Sequence, residues 1–258
     1  MGVAYHQGYS EDKDWEGYED RKNVPKNLAR IELAGFKCAL DVLLQHPAAS
    51  GHVGIIGGSR GGELALILGA LYGNDANSER CAGLRAIVSM VPYACVGPAH
   101  SWDEETRKQF RKTYEPAWMF QGEVYVGKGN GADINSSTLQ YRIPSEDISP
   151  PLFVVSGGQD KVWCDDEMPP ISSMPDLFDA SCIVQHGGRR NSDDVAIHFP
   201  DAGHFFLPPF ALETVQDDFL LKGGGVSAEA SRDAARRAHV ALEQFLEKHL
   251  PRGPVAAE

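Results

Sequence analysis

Leu33, Phe36, Leu40, Leu43 and Leu44 recur at helical spacing, which predicts an amphipathic helix ending near His46-Pro47. The next apolar run, Val53-Gly54-Ile55-Ile56, is bounded by glycines and too short for a helix, so it reads as a strand buried on both faces. A second helix is expected through Gly61-Gly62-Glu63-Leu64-Ala65-Leu66-Ile67-Leu68. Leu84–Met90, Leu152–Ser156 and Val195–Phe199 repeat the signature of a buried strand. Strands alternating with helices imply an α/β fold with a mainly parallel sheet. A long closing helix, from about Ala228 to Leu250, gathers Ala234, Ala238, Ala241, Leu242, Phe245 and Leu246 on one face and stops at Pro251. Residues 92–150 hold no sustained period and are expected to form an irregular insertion or cap. With no internal repeat and no low-complexity linker, residues 1–258 are expected to be one domain.

Chemistry enters at Gly57-Gly58-Ser59-Arg60-Gly61, a G-x-S-x-G between an expected strand and an expected helix. Such a serine stands on a sharp turn, and the flanking glycines are needed where a Cβ would collide with the turn or the packed helix. A lone serine is a weak nucleophile, so a base and an orienting acid must follow, in the order Ser, acid, His, each in a loop after a later strand. Asp160 lies just beyond the strand at 152–156, and His204 just beyond the strand at 195–199. The expected catalytic set is therefore Ser59, His204 and Asp160, with the backbone N–H of Arg60 as one oxyanion donor. Asp165, Asp166 and Asp201 are rivals for the acid, although Asp201 is close in sequence to His204.

The remaining features narrow the picture. Gly127-Lys128-Gly129-Asn130-Gly131 has no strand leading in and no helix leading out, so a loop is expected rather than a phosphate cradle. Arg60 and Arg189-Arg190 could meet an anionic substrate or simply face solvent, and Glu63 fits the positive end of its helix. Phe205, Phe206, Pro208, Pro209 and Phe210 could line an acyl pocket or serve ordinary packing. A formal charge of −12 disfavours nucleic acid and anionic membranes, and no apolar run reaches membrane-spanning length. The five cysteines lack metal-ligand spacing and read as reduced thiols, so no metal and no cofactor is expected. The first twenty residues carry no signal or transit pattern, which makes the cytoplasm the expected location.

At these motifs the sequence resembles the C-terminal catalytic domain of the acyl-CoA thioesterase and bile acid-CoA:amino acid N-acyltransferase family. The resemblance lies in Gly54–Leu64, in Gly158-Gln159-Asp160 with Trp163, and in Pro200-Asp201-Ala202-Gly203-His204 with Pro208-Pro209-Phe210. Ala4-Tyr5, Val24-Pro25-Lys26, His46-Pro47, Gly224-Gly225 and Phe245–Leu250 extend it along nearly the whole chain. It implies an α/β-hydrolase fold and hydrolysis of acyl-CoA to free fatty acid and CoA through an acyl-enzyme on Ser59. A serine at this bend resembles the thioesterases, whereas a cysteine resembles the amino-acid conjugating enzymes. Arg60 stands where the family commonly has Lys. Alternatives are a carboxylesterase or dienelactone-hydrolase-like esterase, an acyl-CoA:amino acid N-acyltransferase, or an impaired, truncated member. The last follows because only a strand-like piece at Val3-Ala4-Tyr5 and one helix are expected before Ser59, with no segment for a second oxyanion donor.

Overall fold

The computed structural model describes residues 27–47, 49–101, 103–113, 115–127, 142–160, 180, 183–184, 189, 191–204 and 228–250. By backbone proximity the chain forms two compact units, one of residues 1–43 and 97–125 and the other of residues 44–96 and 126–258.

The second unit carries the sheet. Its described strands are β3 (Val53–Gly58), β4 (Leu84–Met90), β8 (Leu152–Gly157) and β9 (Val195–Phe199), which lie in sequence order, each parallel to the next. Parallel neighbours need crossovers, and β3 reaches β4 through helix α2 (Arg60–Tyr72). The two faces of β4 have separate partners. Ala86, Val88 and Met90 join Phe153, Val155 and Phe199 in one core with Ala234, Ala238, Leu242 and Phe245 of the closing helix α4 (Ala228–His249). Ile87 and Ser89 point the other way, where Gly69 and Gly62 of α2 come close. With both faces covered, β4 and β8 are buried along almost their whole length, which is why they read as continuous apolar runs.

β3 differs from that expectation. It is the outer strand of the described sheet, Ile56 is 52% exposed, and only Val53 of the strand is buried, so β3 is not covered on both faces.

The first unit is built from helix α1 (Ala34–Gln45), most of which belongs to it, and short pieces. β1 (Asn27–Leu28) pairs antiparallel with β5 (His100–Ser101). β2 (Ile31–Glu32) runs parallel to β6 (Trp118–Phe120), which turns back into β7 (Glu123–Val124). Two short strands thus precede α1, where the sequence showed only the piece at Val3-Ala4-Tyr5, which lies outside the described residues. Part of the irregular stretch is also regular. Helix α3 (Glu104–Thr113) is capped by Asp103, whose Oδ1 accepts from the Thr106 N–H at 2.8 Å, and none of its residues is buried. A helix that buries nothing leaves no apolar period to detect.

Candidate active site

β3 ends by turning sharply into α2, and Ser59 is the residue at the turn, with φ 55° and ψ −123°. A serine in that region of backbone space is strained, so surrounding bonds must hold it. The Ser59 N–H donates to the Met90 carbonyl at the end of β4 (2.8 Å), while its own carbonyl accepts from the amides of Gly62 and Glu63 (2.8 and 3.1 Å). From β4, the buried Ser89 hydroxyl donates to the Gly62 carbonyl at 2.9 Å. Next to it, Val91 is buried with φ 44°, an unusual conformation for a β-branched residue, and its N–H donates to the Val155 carbonyl at 2.8 Å. Gly57 is required because its Cβ would overlap the Gly61 carbonyl. Gly61 is not required on that ground, since a Cβ there would meet nothing within 4 Å.

The other two expected residues arrive on paired loops. After β8 and β9 the backbones continue to bond: the Gly158 N–H donates to the Phe199 carbonyl and the Gln159 N–H to the Ala202 carbonyl, both at 2.9 Å. Glycine allows this approach, because a Cβ on Gly157 would overlap the carbonyls of Gly203 and Ala202, and one on Gly158 the backbone of Pro200. Asp160 and His204 emerge side by side and buried.

The three side chains form one hydrogen-bonded chain. His204 Nδ1 lies 2.6 Å from Asp160 Oδ2, and His204 Nε2 lies 2.7 Å from Ser59 Oγ. Nδ1 faces a carboxylate, so it carries the proton and donates, leaving Nε2 to accept the Ser59 hydroxyl. The hydroxyl makes no capping bond to α2, and Arg60, whose amide opens the helix, follows directly. Chemically, this arrangement can deliver an activated hydroxyl above a helix N-terminus.

Other candidates are placed differently. Asp201 is exposed, while Asp165, Asp166, Arg190, residues 128–131 and 205–210 lie outside the described residues. The Arg189 side chain does not face solvent: it is 2% exposed, pairs with both oxygens of Asp194, and donates to the carbonyls of Ser145, Ile148 and Pro150. Arg60 Nη1 turns to Glu63 Oε2, 2.5 Å away. Among the described residues no cluster of His, Cys, Asp and Glu could hold a metal ion, and no helix is long and apolar enough to cross a membrane. Cys38 is exposed and Cys81 and Cys95 buried, none of the three in a disulfide. The sequence reading missed Ser89, for which a polar residue within the apolar run Ala86–Met90 was the available signal. It also missed Ser156, buried on β8, whose hydroxyl accepts from the Ala180 N–H at 2.8 Å and lies 2.9 Å from His198 Nδ1.

Comparison with known proteins identifies the family. Residues 31–252 match the family described as BAAT / Acyl-CoA thioester hydrolase C terminal. The chain belongs to that family. Among curated relatives of this thioester hydrolase family, mouse "Acyl-coenzyme A thioesterase 6" is 23% identical over 246 residues, covering 91% of this chain and 54% of the relative. Mouse "Peroxisomal succinyl-coenzyme A thioesterase" is 24% identical, covering 90% and 52%. Human "Acyl-coenzyme A thioesterase 2, mitochondrial" is 26% identical, covering 90% and 46%. The chain thus spans about half the length of these relatives. Among solved structures, it is similar to a thermophilic esterase of Thermogutta terrifontis at 14% identity and TM-score 0.43, covering 88% of this chain and 66% of that one. A similarity that low adds nothing about activity. The α/β-hydrolase fold rests on the parallel sheet, its flanking helices and the strand-to-helix bend.

Proposed function

We propose that this chain is a serine thioester hydrolase that releases a carboxylic acid and CoA from acyl-CoA. The observation that carries the reading is the unbroken chain of bonds from Asp160 through His204 to Ser59, at a strained strand-to-helix bend in a member of this family. Ser59 Oγ attacks the thioester carbonyl carbon while its proton passes to His204 Nε2, and the new oxyanion accepts from the Arg60 amide. The C–S bond then breaks and His204 returns the proton to the departing CoA thiolate. Water, deprotonated by His204, hydrolyses the acyl-Ser59 ester and frees both acid and enzyme. Asp160 holds the imidazole tautomer and balances the imidazolium. We read residues 1–258 as one catalytic domain, because the family match runs through both compact units. A cytoplasmic location is part of the same proposal, and fractionation of the tagged chain tests it, with recovery in organelles overturning it.

The test is turnover by the full chain of palmitoyl-CoA and of p-nitrophenyl acetate, each with and without glycine, alongside a fluorophosphonate probe that labels activated serines. Thiol release with free palmitate, and labelling lost in S59A, is the expected outcome. Ester turnover alone would make the protein an esterase, and N-palmitoylglycine an N-acyltransferase. No labelling of the folded chain would overturn the assignment of Ser59.

A further inference from the structure

One ion pair beside Ser59 has no part in the chemistry above. Glu63 has no exposed side-chain surface, and Arg60, its partner at 2.5 Å, keeps only 19%. An acid that merely complements a helix dipole does so from the surface, whereas a fully buried carboxylate is costly unless a cation matches it. The placement is specific as well. The Glu63 N–H bonds to the Ser59 carbonyl, so nucleophile, oxyanion amide and buried acid share one helical turn. The charge of Glu63 also reaches past its partner. Burial, and after it the Glu63 carboxylate, push the Cys95 thiol up to about 12, with Arg142 opposing.

We propose that the Arg60 side chain is a positioning group, which offsets the charge of Glu63 so that the oxyanion formed at Ser59 faces less negative charge one turn along α2. This rests on the hydrolase reading of Ser59. Its guanidinium serves the interior of the site and not the phosphates of an anionic substrate. Among the described residues, Arg60 on α2 pairs with Glu63, and the Cys95 thiol, from the segment after β4, senses both the Glu63 carboxylate and Arg142. On this proposal Arg60 matters only while residue 63 is an acid.

A double-mutant cycle tests this, read as the fluorophosphonate labelling rate of Ser59 and as kcat and KM for palmitoyl-CoA. R60M is expected to slow labelling and kcat about 30-fold with KM within about twofold, and R60K to restore most of the rate. In an E63Q background, loss of Arg60 costs less than about threefold. An equal cost in both backgrounds, or an effect confined to KM, overturns the proposal. If R60M does not fold, comparing E63Q with R60M/E63Q decides alone, since about a 30-fold gap between them rules out charge compensation. Wild-type chain that is folded yet unlabelled sinks the assignment of Ser59 itself, an outcome distinct from a labelled wild type with an uncoupled pair.

Discussion

The bend at the end of β3 and the paired ends of β8 and β9 hold their functional side chains in different ways. At the bend the holding is nearly local: Ser59 takes φ 55°, its carbonyl is tied to the amides of Gly62 and Glu63, and Ser89 and the Met90 carbonyl reach in from β4. At the other corner it is non-local. Asp160 and His204 are 44 residues apart, and they meet because two loops bond to each other wherever glycine leaves room. A strained local corner can be written in five consecutive residues. A corner made by two loops needs the sheet to form first, so its precision depends on tertiary packing.

The largest effect is expected at the paired loops. D160N replaces an acceptor-only carboxylate with an amide that can present N–H to the imidazole, favouring the wrong tautomer. We expect kcat to fall by about 10⁴ with the fold intact, a loss on the scale set by serine-protease acids. Steady-state kinetics beside a thermal melt check it. A loss below about tenfold would leave His204 oriented by something other than Asp160.

Next in size is a contrast of two glycines. G157A drives a methyl group into the carbonyls of Gly203 and Ala202, and neither backbone can move without disturbing the 158–199 and 159–202 bonds. It should cost about 3 kcal/mol in denaturant unfolding, in the range for overpacked sites. G61A, with open space around it, should change stability by less than about 0.5 kcal/mol although it lies inside the motif. Equal costs would mean that the bend is as tightly packed as the loops.

The same contrast explains what the sequence disclosed. The apolar runs at 84–90 and 152–157 and the periodic face of 228–249 gave the sheet and its covering helix, because burial on two faces leaves a compositional trace. The G-x-S-x-G bend was legible for the same local reason, and the slots after β8 and β9 led to Asp160 and His204. The exposed face of β3 was not legible, since an edge strand and a central one share an apolar run until their neighbours are known. Helix α3 was missed because it buries nothing, and β1 and β2 because two residues carry no period. The inward turn of Arg189 depends on carbonyls around residues 145–150, some 40 positions away. No spacing rule encodes it.

The smallest effect tests whether the β8–β9 region can be weakened without touching Ser59. His249 ends α4 beside Lys248, which pairs with Asp193 just before β9, at the opposite end of that strand from His204. Its ring lies 4.7 Å from that of Phe245, and among the described residues its buried Nε2 has no partner. Burial lowers its pKa below the ordinary value of 6.5, Asp193 opposing and Lys248 adding to the shift. The unfolded chain therefore binds the proton more readily than the folded one, so this contribution to stability is present above about pH 6.5 and declines as the pH falls towards the depressed folded value. H249Q should flatten the decline of Tm between about pH 7.5 and 5.5, by on the order of 1–2 °C, while kcat at pH 7.5 stays within about twofold of wild type. If H249Q lowers kcat well beyond that, the far end of β9 and the Ser59 bend are coupled, and the two regions are not independent.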